Sequence, residues 1–186
     1  MKRSIMGNLG KIDNYRTLVS NGDLVSLPAP LDTALYTWSR IRDGSQLPIW
    51  RDWDWLAVPV NAIPWCTVVD HIPFPQDFKY RFWGTTRTLI QGYDATGDSV
   101  LDLAPVSVAS KVFREYSEVA AKQRPLLFET YGMGLHESKS YRCLRLPFGN
   151  GVEVTQILSI VSYAPTDVES ICDYFQDEAH RTPVGS

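Results

Sequence analysis

Cysteine and histidine are scarce in this chain, with three of each among 186 residues. Cys66, Cys143 and Cys172 are odd in number, lie far apart and form no Cys-x-x-Cys pair, so neither a disulfide framework nor a zinc site is indicated. Reduced thiols are expected. His71, His136 and His180 have no histidine partner at i, i+4 spacing, and no metal is expected. No apolar run approaches the ~20 residues that cross a bilayer. The opening MKRSIMGNLGKIDNYR is broken by Gly, Asn, Lys and Asp before a signal-like apolar segment can form. A cytoplasmic protein with no membrane partner is the expectation. Lys and Arg, 18 against 21 Asp and Glu, are scattered and leave a net charge of −3, which is no footprint for nucleic acid.

What is present is an ordinary globular balance, 44% apolar and 21% charged, enough for one domain with its own core. Residues 1–30 are mixed and polar and read as an arm ending in Pro28-Ala29-Pro30. Leu31, Ala34, Leu35, Trp38 and Ile41 recur at helical spacing, with Asp32 in the first turn and Gly44 past the end. Residues 47–64 hold three Trp and three Pro, too interrupted for a long element, and predict a loop wrapped over core. Trp65 to Ile72 is β-branched and apolar, fitting a strand buried on both faces. Phe78, Tyr80 and Phe82 then alternate with Lys79 and Arg81 as a strand with one dry and one wet face.

Glycines bracket a short helical turn between Gly84 and Gly97. Ala109, Val112, Phe113, Tyr116, Val119 and Ala120 mark the longest helix, stopped at Arg124-Pro125. Three strands are expected next, at Leu126–Leu135, Ser140–Leu146 and Val152–Tyr163, the last two joined by a turn at Asn150-Gly151. Thr166 and Glu169 have capping-box spacing ahead of a closing helix carrying Val168, Ile171, Cys172 and Phe175.

Two strands, intervening helices and then three strands is the element order of a PAS domain. The residues carry the likeness further: Leu35-Tyr36-Thr37-Trp38, Arg40, Leu47-Pro48, Tyr80-Arg81-Phe82-Trp83-Gly84-Thr85, Gly92-Tyr93-Asp94, Thr96-Gly97, Tyr116, Arg124-Pro125, Leu144-Arg145-Leu146-Pro147, Gly151 and Ile157-Leu158. Across roughly residues 31–163 the chain resembles an alphaproteobacterial PAS-like family first catalogued as a domain of unknown function. It departs from that family at Asp54-Trp55, where a proline commonly follows the aspartate. The resemblance implies an α+β fold with a five-stranded antiparallel sheet, helices on one face, and flanking N- and C-terminal helices. With the residue patterns above, three divisions are expected: an arm over 1–30, the PAS-like domain over 31–165, and a closing helix and tail over 166–186. The resemblance also implies a small cytoplasmic sensor or interaction module, with no ligand or activity common to the family.

Such domains hold small molecules between sheet and helices. Tyr80, Phe82, Phe113, Tyr116, Tyr141 and Cys143 are the candidate ligand-binding residues, aromatic walls with hydroxyls to orient a planar ligand; plain core filling is the competing reading. Flavin and haem are not expected as cofactors. The flavin photoreceptor motif Asn-Cys-Arg-Phe is absent, and the helix from Val106 to Gln123 has no histidine to ligate haem. Gly132-Met133-Gly134 lacks the third glycine of a dinucleotide loop, Glu137 standing there. A thiol-nucleophile set of Cys143, His136 and Glu129 or Glu137 lacks an oxyanion site, so no catalysis is expected and Cys143 reads as apolar filler. The alternative class is a homodimerisation module, with Leu31, Leu35 and Trp38 or Val168, Ile171 and Phe175 facing a second copy. A separate signalling protein is then the remaining partner. Arg142, Arg145, Lys79 and Arg81 read as solvated strand faces.

Overall fold

Helical spacing at Leu31, Ala34 and Trp38 produces the first helix, α1 (Ala29–Ile41), with these three side chains as its buried stripe. The structure, a computed structural model, describes residues 15–18, 27–131 and 140–177, the first four and Ser140 as backbone. Ahead of α1 lies β1 (Tyr15–Leu18), and after it β2 (Cys66–Pro73), β3 (Gln76–Trp83), α2 (Thr85–Gln91), α3 (Val106–Lys122), β4 (Leu126–Tyr131), β5 (Ser140–Gly149), β6 (Val154–Ser162) and α4 (Val168–Gln176). The strands form one sheet in the order β1-β4-β5-β6-β2-β3. Every neighbouring pair is antiparallel. The architecture is the expected PAS-like α+β, its five predicted strands joined by a sixth. That sixth, β1, comes from the stretch read as an arm; four residues are too few for alternation to declare a strand.

Both faces of the sheet are covered. Thr67, Cys143, Arg145, Ser159 and Val161 are paired across strands and point to the α3 side. Their neighbours Cys66, Val68, Leu144, Leu146, Leu158 and Ile160 point the other way and share the core with Leu31, Ala34 and Trp38. Helices therefore stand on both sides: α3, α2 and α4 on one, α1 on the other. The Trp38 indole donates to the Pro147 carbonyl at 2.6 Å, tying α1 to β5.

The tryptophan-rich loop wraps the α1 side as expected, in three 3₁₀ turns, Trp50–Asp52, Trp55–Ala57 and Val60–Trp65. Trp50 and Trp53 both meet Phe148 edge-on, at 5.0 and 5.5 Å. Two local expectations are corrected. β5 runs through Pro147 to Gly149 before its turn, because Pro147 pairs with Ile157 inside the ladder. The capping box at Thr166 does not form: a 3₁₀ turn, Pro165–Asp167, precedes α4 and makes Asp167 the cap, while Thr166 donates to the Asp167 carboxylate. A full capping box instead closes on Ser99 and Asp102. Helix α2 stops at Gly92, whose φ of 77° is the left-handed conformation a glycine takes without strain.

Candidate functional site

On α3, Val108, Val112, Glu115 and Tyr116 fall on one stripe facing the sheet. Opposite stand Thr67 of β2, Tyr80 of β3, Tyr141, Cys143 and Arg145 of β5, and Ser159 and Val161 of β6. Helix α2 contributes Arg87 and α4 contributes Phe175. Between them is a cavity of about 30 Å³, space on the order of one or two water molecules.

A continuous polar chain crosses this hollow. Lys111 Nζ donates to Glu115 Oε1 at 2.5 Å, and Arg145 grips Glu115 Oε2 through Nε and Nη2 at 3.2 and 2.5 Å. Arg145 Nη1 donates to Ser159 Oγ at 2.8 Å, Ser159 Oγ donates to the Tyr116 hydroxyl at 3.1 Å, and that hydroxyl meets Thr67 Oγ1 at 3.3 Å. The Arg145 guanidinium also lies 4.0 Å from the Tyr116 ring centre. Lys111, Glu115 and Arg145 are all buried. Burial pushes the Glu115 carboxyl up, but the Lys111 and Arg145 charges and their hydrogen bonds outweigh it and hold the group below the ordinary carboxylate value. The Tyr80 and Tyr141 phenols and the Cys143 thiol are pushed up, mainly by burial. At neutral pH they are uncharged.

Arg87 occupies the edge of the hollow, half-buried. Its Nη1 donates to the Tyr163 hydroxyl at 3.0 Å and its guanidinium lies 5.5 Å from the Trp83 ring centre. Its Nε is buried without a partner, and no carboxylate pairs with it among the described residues.

Of the six residues singled out from sequence, Tyr80, Tyr116, Tyr141 and Cys143 line the hollow; Phe82 and Phe113 do not. Phe82 stands on the opposite face against Trp55, ring centres 5.4 Å apart. A bulge causes this: Val69 pairs with Tyr80 and Val68 with Phe82, so Arg81 is an extra residue that flips the alternation. Phe113 is turned toward Phe78 at the margin of α3.

The prediction that Arg145 is solvated is corrected, because β5 is a central strand with both faces covered. Lys79 and Arg81 are exposed, Arg81 pairing with Asp70, and Arg142 is half-buried beside Glu129 at 3.7 Å. Arg87, Lys111, Glu115, Arg145 and Ser159 are the site residues that sequence reasoning missed. The i, i+4 spacing of Lys111 and Glu115 on the stripe of Tyr116, and the i, i+2 spacing of Cys143 and Arg145, were the available signals.

For the thiol-nucleophile set, Glu129 pairs with Arg142 and so faces away from Cys143, which pairs with Phe128. His136, Glu137, His180 and Gly132-Met133-Gly134 lie outside the described residues. His71 Nδ1 donates to the Val154 carbonyl at 2.8 Å. No group of three potential metal ligands occurs among the described residues, and no described helix is long and apolar enough to cross a membrane.

Comparison with family models, with curated proteins and with solved structures returned no match to this chain. The fold is a PAS-like α+β, with a chain of polar side chains between its sheet and helices.

Proposed function

We propose that the chain is a non-catalytic sensory domain of the PAS-like family, with its ligand site in the hollow between the sheet and α3, and that it signals through a separate partner. The observation that carries this is the convergence of Arg87, Glu115, Arg145, Tyr80, Tyr116 and Tyr141 on one internal space. A core built for stability alone gains little from buried ion pairs, since well-packed apolar residues serve as well or better. Polar groups aimed at a cavity are what orient a ligand. Phe175 of α4 forms part of the wall, and Gln176 of α4 donates to the Leu89 carbonyl of α2 at 2.8 Å. A ligand larger than a few atoms requires α4 and α2 to part. Favouring that parted arrangement over the closed one is how binding becomes a signal.

A homodimerisation module is the second reading, favoured by the exposure of Tyr36, Leu56 and Val60. The faces first considered for it are engaged elsewhere: Leu31, Trp38, Ile171 and Phe175 are buried in the chain's own core. Native mass spectrometry of protein isolated from its own cells, compared with a denatured sample, tests the proposal. A bound mass lost on denaturation is expected. A ligand-free dimer overturns the sensor reading in favour of the interaction module.

A further inference from the structure

The charges around the hollow do not balance equally. Glu115 is saturated, with Lys111 on Oε1 and Arg145 on Oε2. Arg145 is likewise engaged on all three nitrogens, by Glu115 and Ser159. Arg87 is different: one phenol holds Nη1, Gln91 offers its amide oxygen to Nη2 at 3.3 Å when turned toward it, and Nε is left buried and unpartnered. A guanidinium presents five N–H donors in a planar fork that fits an oxyanion, and an orphaned donor in a partly desolvated place costs free energy until an acceptor arrives.

We infer that the hollow takes a small monovalent oxyanion, of the size and charge of formate, acetate or nitrate, with Arg87 as its principal ligand. This rests on the reading of the hollow as the ligand site. Size follows from the cavity of about 30 Å³: as it stands it holds on the order of one or two waters, so an ion of three or four heavy atoms enters with a small parting of α2 and α4, and a nucleotide or a tetrapyrrole does not fit. Charge follows from Arg87, the only guanidinium of the lining with no carboxylate among the described residues. Access follows from its place: Arg87 is half-buried while Glu115 and Arg145 are sealed, so the anion enters from the α2 side. The Tyr163 hydroxyl, which accepts from Arg87 Nη1, can rotate to donate its own proton to a bound oxygen.

The test is calorimetric titration of the full chain at constant ionic strength with formate, acetate and nitrate, alongside the neutral formamide and acetamide. Formate or acetate is expected to bind at least tenfold more tightly than its amide. Arg87→Met is expected to weaken the anion at least tenfold, with Arg87→Lys between it and the wild type. Tyr163→Phe, which keeps the ring, gives a second reading should Arg87→Met fail to fold, and is expected to weaken the anion several-fold. Equal binding of amide and anion, or anion binding untouched by both variants, overturns the inference while leaving a ligand site in place. Absence of binding by every anion overturns it as well. The native mass measurement decides the sensor reading independently, since a neutral ligand retained from the cell upholds that reading alone.

Discussion

Arg145 and Glu115 meet in the dry space between β5 and α3, with two guanidinium nitrogens on a single carboxylate oxygen at 3.2 and 2.5 Å. Removing one partner leaves the other charged and buried. Lys111 still faces Glu115 after Arg145→Met, so the expected cost is about 3 kcal/mol, the lower end of the range for breaking a buried pair. Adding Glu115→Gln should cost less than the sum of the single changes, because the second loses an interaction already gone. A double-mutant cycle by urea denaturation measures this coupling, expected at about 1–3 kcal/mol.

The same carboxylate sets an acid limit. Its folded pKa lies below the ordinary 4.5, so the fold binds fewer protons there than the unfolded chain. The stability it contributes is complete above about pH 4.5 and is lost as the pH falls through the lower folded value. Stability followed from pH 7 to pH 3 should drop more steeply in wild type than in Glu115→Gln, and parallel curves would remove Glu115 from the account.

At the alkaline end the sign is opposite. Burial, with Cys143 nearby, pushes the Cys66 thiol from 9.0 to about 12, and burial raises the Tyr80, Tyr141 and Tyr163 phenols above their ordinary 10.0. The unfolded chain sheds these protons first, so stability declines above about pH 9 and faster above pH 10. Absorbance at 295 nm in the native state at pH 11 should fall short of the nine tyrosines present, and reach all nine only on unfolding. Cys172, half-buried on α4, should be the first of the three thiols to react with a disulfide reagent, ahead of Cys66 and Cys143.

Much of this fold was legible. Helical spacing located α1, α3 and α4, and the β-branched run from Trp65 to Ile72 announced the strand found at Cys66–Pro73, which is buried on both faces only from Cys66 to Val69. What was hidden depends on partners distant in sequence. Arg145 looks wet in its own strand, and only the coverage of β5 by α3, with Glu115 waiting there, makes it dry. Arg87 looks like the polar face of a short helix until Tyr163 and Trp83, 76 residues away and four residues before it, are placed around it. Phe82 was misplaced because one extra residue reverses alternation, and nothing in the local residue types signals a bulge.

Gly84 joins β3 to α2 where two stretches of backbone almost touch. Its φ of −67° suits any residue, so the restriction is space. An added Cβ would sit 2.2 Å from the Pro64 carbonyl oxygen and 2.8 Å from that of Cys66, both backbone atoms. Gly84→Ala should therefore cost about 3 kcal/mol, the upper end of ordinary overpacking, through displacement of α2 from β2. A thermal melt reads the loss, and an unchanged melting temperature would show that the two backbones are not this close.

Phe82 and Tyr80 separate the two faces of β3 experimentally. Phe82 is half-buried against Trp55, so Phe82→Ala should cost about 2 kcal/mol, less than the 3–5 typical of a fully buried ring. It should leave any anion affinity of the hollow within twofold, since no atom of Phe82 reaches that face. Tyr80 is buried on the hollow side and touches Trp83 edge-on at 4.6 Å. Tyr80→Phe keeps that ring contact and removes only a hydroxyl, so it should alter affinity more than stability. Denaturation and calorimetry on the same two variants form the check. If Phe82→Ala abolished binding while Tyr80→Phe did not, the bulge at Arg81 would be misassigned and the two side chains would exchange faces.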